Sequence, residues 1–481
     1  MVGDLKKVRI ISFISGERNI KMQLEKEVAR AIRHISATDA QSALNNDEQA
    51  RLAVKVMDDV KNASCHFENA DIIILQQGSK KRLVKRYIDR YSSENVLCQS
   101  IKQVLDKDFR VKYPNRNKIS RALFSILPAT IQMADYTIVR FDFKDYFNSV
   151  SAEYAYCKYI QNKISDRLTR DLLGDYCKKT GYTYAGLPTS NAIAEIVASE
   201  FDATLKQLFA PLGIIFYSRY IDDSVLVLNR HVDEDIVITM LDNILDKTYH
   251  DETANVSRRC KTRYNRNKYS YISKRKLTAN PSSFDYLGYE FWLKLTPKGK
   301  TEIQYGITQE KRIKYRDRLE TIIKLYTDPR SADYQNTELL RHRVLAFTSR
   351  EVYMGVRHQA NIWKSKGFIS NYGELRYLLG TELLHPDTVL FLKNIVKDAF
   401  TQAAIKPYFT FDAEKVDSGY NLYHNMKDNR TILLVDGIGY DYKSLVKLCS
   451  QIGISDVDAG GKRRTYSSLV REYLIRVKVG Y

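Results

Sequence analysis

Two apolar, β-rich runs, residues 214–220 and 224–228, stand on either side of Asp222-Asp223. Their β-branched and aromatic residues favour extended chain, so the spacing predicts a tight antiparallel hairpin with both acids at its turn. Aspartate pairs in solvated turns are common. This pair is unusual in its company: Ile214, Ile215 and Phe216 before it, and Val225, Leu226, Val227 and Leu228 after it. A hairpin so apolar must be buried in a sheet. Two like charges at its tip repel, and cations must offset that repulsion.

A second acid stands in a similar setting. The β-rich run 136–141 ends at Asp142, within Phe141-Asp142-Phe143-Lys144-Asp145-Tyr146-Phe147. Carboxylates converging from separate rigid strands are what magnesium takes, together with substrate phosphates. Phosphoryl transfer onto a hydroxyl uses two such ions, about 3.5–4 Å apart. The expected cofactor is magnesium, with manganese as its substitute.

The charge balance fits a polyanionic partner. The chain has 76 Lys and Arg against 57 Asp and Glu, a net charge of +19 and a pI near 9.4. Nucleic acid and an anionic membrane surface are both candidates; a surface kept basic for solubility is the plain alternative. No apolar run approaches the ~20 residues that span a bilayer. The opening residues lack a long apolar stretch with a cleavage site, so no secretory signal and a cytosolic location are expected. The six cysteines, Cys65, Cys98, Cys157, Cys177, Cys260 and Cys449, form no CxxC pair, which argues against a zinc site and against a disulfide framework.

The patterning changes along the chain. Residues 16–62 read as helices, with Met22, Leu24, Val28, Ala31 and Ile32 at helical spacing. A basic segment runs from Lys80 to Arg90. Tyr113-Pro114-Asn115-Arg116-Asn117-Lys118 reads as a turn of hairpin type between short extended runs. From about 136 to 295 strand-like and helical runs alternate, with a helix over 190–208. Beyond about 308 the spacing is helical: 310–326, 337–347, 387–404, 442–452 and 466–477. Asp387, after a proline, is expected to cap its helix. The class is therefore α+β, with an all-α C-terminal region suggesting a helical repeat or bundle.

Three segments together resemble motifs A, B and C of reverse transcriptases, in that order. They are Phe141 to Phe147, Gly186-Leu187-Pro188-Thr189-Ser190-Asn191 and Tyr220-Ile221-Asp222-Asp223. Phe284-Asp285-Tyr286-Leu287-Gly288-Tyr289 is similar to the Leu-Gly turn of motif E. The resemblance implies a right-hand polymerase: fingers and palm over 1–305, with the palm at about 130–300, and a helical-repeat (HEAT-like) domain over 306–481 in place of the thumb.

What it implies residue by residue is as follows. Asp142 and Asp222 would ligate the metals, aided by the carbonyl of Phe143 and supported by Asp223. Phe147 would be the steric gate against a ribose 2′-hydroxyl, with a core aromatic as the plain alternative. Gly186 and Pro188 would shape a turn beneath the base, and Tyr220 would border the incoming nucleotide. Arg121 would hold the triphosphate from the finger hairpin, with Arg116 and Lys118 as rivals. Lys276, or equally Lys274, would be the lysine that protonates pyrophosphate. Ala185 and Asn191 depart from the glutamine and proline common in motif B.

The helical C-terminal half and the Gly-Leu-Pro-Thr-Ser-Asn segment look most like the abortive-infection group of bacterial phage-defence reverse transcriptases. That resemblance implies closed homo-oligomers, trimers or hexamers. It also implies template-free DNA synthesis from deoxynucleoside triphosphates, primed on a protein hydroxyl, with the single-stranded DNA product covalently attached. Of 34 tyrosines none precedes Tyr87, and Tyr481 is a candidate primer at the C-terminal end. Two other readings stand beside this one: a templated enzyme copying a dedicated RNA, as retrons do, and a non-catalytic oligomer that binds nucleic acid.

Overall fold

The computed structural model describes residues 24–37, 44–77, 80–357, 360–406, 409, 419–458 and 460–479. The chain divides into two compact units, Met1–Asn115 with Asp135–Ser273, and Arg116–Ala134 with Lys274–Tyr481. The units do not follow the expected 305/306 boundary. Among the described residues no helix is long and apolar enough to cross a membrane.

In the first unit a four-stranded antiparallel sheet runs in the order β4-β5-β3-β6, built from β3 (Thr137–Asp142), β4 (Ile214–Tyr220), β5 (Asp223–Leu228) and β6 (Ser270–Ser273). Side chains alternate across a strand. Val139 and Phe141 of β3 and Leu226 and Leu228 of β5 therefore share one face. They form a single core with Ala192, Ile193, Val197 and Phe201 of the helix Pro188–Phe209, and with Val237, Leu241 and Ile244 of the helix Glu234–Tyr249. Each of the larger side chains among them, the valines, leucines, isoleucines and phenylalanines, contributes roughly 1.5–3 kcal/mol on burial.

A two-stranded ribbon, β1 (Asp71–Gln77) with β2 (Lys80–Arg86), pairs antiparallel over seven residues of each strand. This ribbon is the basic hairpin of the chain, and the expected hairpin at Tyr113 to Lys118 is absent. Residues 111–115 have no regular structure, and Arg116 opens the helix Arg116–Thr130. Pro114 and Asn115 lead into a helix rather than turning a ribbon, because Ser120, Leu123 and Leu127 bury at helical spacing.

The second unit corrects the all-α expectation for 306–481. Strands β7 (Ser282–Tyr286), β8 (Tyr289–Leu295) and β9 (Thr301–Ile307) form one sheet. Beyond 306, β10 (Arg350–Arg357), β11 (Ala360–Lys366) and β12 (Thr431–Leu434) form another, ordered β11-β10-β12. The helices found there by spacing are present, but strands interrupt them, so they are not an unbroken helical repeat. The sequence does hold the signal, in Val352, Tyr353, Val356, Ile362 and Trp363, all strand formers. Ile432, Leu434, Leu445, Cys449, Leu469 and Tyr473 close the core over the sheet.

Asp387 is not the cap of its helix. The helix begins at Pro386, and the ring of His385 accepts the Asp387 N–H at 3.3 Å. Asp387 instead lies in the first turn, where a negative charge is favourable, and pairs with Arg312 at 3.3 Å.

Candidate active site

Asp142 and Asp223 are direct partners at the ends of β3 and β5. Residues so opposed point to one face, with Cβ atoms about 4.5–5.5 Å apart. Arg140 lies two residues before Asp142 on that same face. Its Nε is 3.0 Å from a carboxylate oxygen of Asp223, with the Arg140 side chain only 2% exposed. Asp142 is also buried. Lys268 Nζ donates to its Oδ2 at 2.8 Å and Asn265 Nδ2 to its Oδ1 at 3.2 Å. A buried carboxylate needs such partners, since burial without them costs several kcal/mol. Burial pushes the Lys268 ammonium down, but the bond and charge of Asp142 outweigh it and hold the group above its ordinary value.

The turn between β4 and β5 is strained. Tyr220 pairs with Asp223, leaving Ile221 and Asp222 as a two-residue loop, and Ile221 has φ of 62°. A β-branched residue in the left-handed region costs about 1–3 kcal/mol and persists only where its surroundings hold it there. Two main-chain carbonyls are held. Arg219 Nη1 donates to Ile221 O at 2.8 Å, and the N–H of Phe143 donates to Asp222 O at 3.0 Å. The second bond ties the Asp142 strand directly to the Asp222 turn.

Arg219 is itself fixed by two acids of the helix Pro188–Phe209. Its Nη2 donates to Glu195 at 2.7 Å and its Nε to Asp202 at 2.9 Å, and its side chain is 3% exposed. Tyr217 also donates to Asp202, at 2.7 Å. Burial pushes the Glu195 carboxyl up, and the Arg219 bond and charge offset only part of that, leaving it above its ordinary value.

Phe143 is buried in an aromatic cluster, stacked on Tyr146 at 5.2 Å and on Tyr264 at 5.5 Å between ring centres. This packing fixes the backbone between Asp142 and the following turn. Phe147 is half-buried in the short helix Tyr146–Ser149, and its carbonyl accepts from Thr183 Oγ1 at 3.1 Å.

The glycine of the second motif has a structural role. Gly186 has φ of 101°, and a Cβ there would lie 2.3 Å from the carbonyl of Lys85. The N–H of Lys85 donates to Ala185 O at 2.8 Å. The basic ribbon is thus seated against the Gly186 turn, and Pro188 opens the following helix at its first position. Lys85 stacks over the ring of Tyr184, 4.2 Å from its centre.

Arg121 is on no finger hairpin: it lies in the helix Arg116–Thr130, exposed, with Glu374 at 3.5 Å. Lys276 is an exposed residue of the turn Lys274–Lys276 in the second unit, and Lys274 donates to Met133 O at 2.5 Å. The amine on Asp142 belongs to Lys268, which no local pattern marked. Tyr481 lies outside the described residues. No local pattern marks Arg219 either, and Arg140 is legible only as a charge two residues from Asp142 in a buried strand.

The residues expected to hold a divalent ion offer only oxygen, from three carboxylates and a main-chain carbonyl, and two of the acids, Asp142 and Asp223, are in register on adjacent strands. As the side chains stand, no three acidic, histidine or cysteine groups among the described residues are clustered closely enough to hold an ion. Binding one would require these carboxylates to turn from Lys268 and Arg140.

No protein-family model and no curated protein matches the chain. Among solved structures it is similar to apo telomerase from Candida tropicalis truncated from its C-terminal domain, at 12% identity and a TM-score of 0.32, covering 55% of this chain and 63% of that one. It is also similar to telomerase from Candida albicans in complex with a TWJ fragment of telomeric RNA, at 14% identity and a TM-score of 0.35, covering 80% and 61%. The corresponding Candida tropicalis complex matches at 10% identity and a TM-score of 0.34, covering 79% and 63%. The chain thus spans about three fifths of the length of each. At this identity and TM-score the likeness bears on neither activity nor substrate.

Proposed function

We propose that the chain is a nucleotide polymerase of reverse-transcriptase type, one that adds deoxynucleotides without a template, from a protein hydroxyl, in abortive-infection defence against phage. The observation that carries the polymerase reading is the strained Ile221-Asp222 turn, bonded through Asp222 O to the residue after Asp142. Strain held this firmly beside three acids supports a site rather than an incidental turn.

Asp142, Asp222 and the carbonyl of Phe143 would hold magnesium or manganese, which when bound would activate the attacking hydroxyl and neutralise charge on the leaving pyrophosphate. Arg140 holds Asp223 in register with Asp142. Lys268, bonded to Asp142 at 2.8 Å, would hand a proton to the leaving group once Asp142 releases it, the role that the resemblance gives to Lys276. Phe147 bounds the sugar side of the site. The +19 charge supports nucleic-acid partners.

Template independence rests on the altered second motif, where Ala185 and Asn191 replace the residues common in templated enzymes. A templated reading has one observation in its favour: the ribbon β1–β2, with five Lys or Arg in Lys80–Arg86, sits against that same motif. Incubation of the purified chain with labelled deoxynucleotides and magnesium, without template or primer, separates the two. We expect label that stays on the protein after denaturation. Incorporation only after RNA is added would leave the polymerase and sink the template-free reading.

A further inference from the structure

A cleft of about 250 Å³ opens in the second unit between the helix Arg116–Thr130, β10 and the segment Gly373–Leu378. Its charged lining is Arg121, Arg350, Arg376 and Glu374, three guanidinium groups against one carboxylate. Two buried polar atoms in the wall have no hydrogen-bond partner among the described residues. One is the hydroxyl of Ser120, a residue only 3% exposed, and the other is Nε of Arg350. A buried donor left unmatched costs about 1–3 kcal/mol, so such groups call for an acceptor. Tyr377, in the same lining, is 71% exposed. An exposed aromatic ring beside guanidinium groups is the arrangement on which a nucleic-acid base stacks while its phosphate is held.

We propose that this cleft binds one nucleotide unit. Arg350, Arg376 and the Ser120 hydroxyl would donate to its phosphate, and Tyr377 would take its base. The bidentate fork of arginine matches phosphate oxygens, which lysine does not. The volume is below the roughly 300–1,000 Å³ of small-molecule sites, which limits the occupant to a single unit. That unit is either a free nucleotide or one residue of a single strand. The site is independent of the polymerase reading and would stand with the aspartates removed.

The test uses the full chain carrying Asp222→Ala and Asp223→Ala, without metal or triphosphates. Binding of a fluorescein-labelled oligo(dT) is followed by anisotropy against salt concentration. Adding Arg350→Gln with Arg376→Gln is expected to weaken binding about tenfold or more, since each bond to a charged group is worth roughly that. It should also flatten the log–log salt slope by about 0.7 or more. Competition by dTMP that the arginine changes abolish assigns a free nucleotide; loss of oligonucleotide binding alone, with dTMP inert, assigns a strand. Because Arg350 is half-buried, Arg121→Gln with Arg376→Gln, both exposed, repeats the measurement on a variant whose melting temperature is unchanged. Unchanged affinity and slope in a folded variant overturn the site. If wild type incorporates no nucleotide yet these shifts appear, the polymerase reading falls and the cleft stands.

Discussion

At the residue scale the most informative group is Arg219. It bonds to Glu195, Asp202 and the Ile221 carbonyl at once, so one buried guanidinium couples a long helix to the strained turn. Removing one partner of a buried ionic network costs about 3–5 kcal/mol, because the other charges are left unmatched. Arg219→Ala is therefore expected to lower the melting temperature of the chain markedly. Arg219→Lys keeps the charge but cannot span all three acceptors. It should stay folded while incorporation falls about 10²-fold, the usual effect of a misplaced reacting group. Full activity in Arg219→Lys would remove the clamp from the account. Phe147 makes a separate prediction. If its ring bounds the sugar, Phe147→Ala raises ribonucleotide incorporation relative to deoxynucleotide by about tenfold or more in single-nucleotide competition. An unchanged ratio assigns the ring to packing alone.

At the element scale the basic ribbon depends on a glycine. Alanine at Gly186 would have to place its Cβ 2.3 Å from Lys85 O and 2.5 Å from Val84 Cγ1, at a φ of 101°. Gly186→Ala is expected to destabilise by about 1–3 kcal/mol or to lift the ribbon off, read as faster proteolysis within residues 71–86. Wild-type melting and cleavage would show that the contact is not needed. The elements most legible in the sequence were those where local preference and burial agree. The run 214–220 is a strand over those very residues, and the spacing over 310–326 matches the helix Gln309–Thr327. The hairpin of β10 and β11 was missed because its strand formers lie among charged and small residues, between two strongly helical stretches. The turn at Pro114 was misread because proline and asparagine precede helices as readily as they make turns.

At the scale of the whole molecule, the legible part of the site is the part carried by short motifs: Asp142, Asp222, Asp223 and their strands. The illegible part is carried by contacts between distant segments. Lys268 meets Asp142 across 126 residues, and Arg219 meets Glu195 across 24. No spacing rule connects such positions, since only the folded sheet and helices bring them together. Whether these three aspartates carry nucleotide transfer is read from magnesium-dependent incorporation of labelled deoxynucleotide by wild type and by Asp222→Ala with Asp223→Ala. Incorporation is expected from wild type, with loss on chelation and none from a double variant that melts and sediments as wild type does. Incorporation by that variant at the wild-type rate, or none by wild type with or without RNA, would contradict that role for the aspartates.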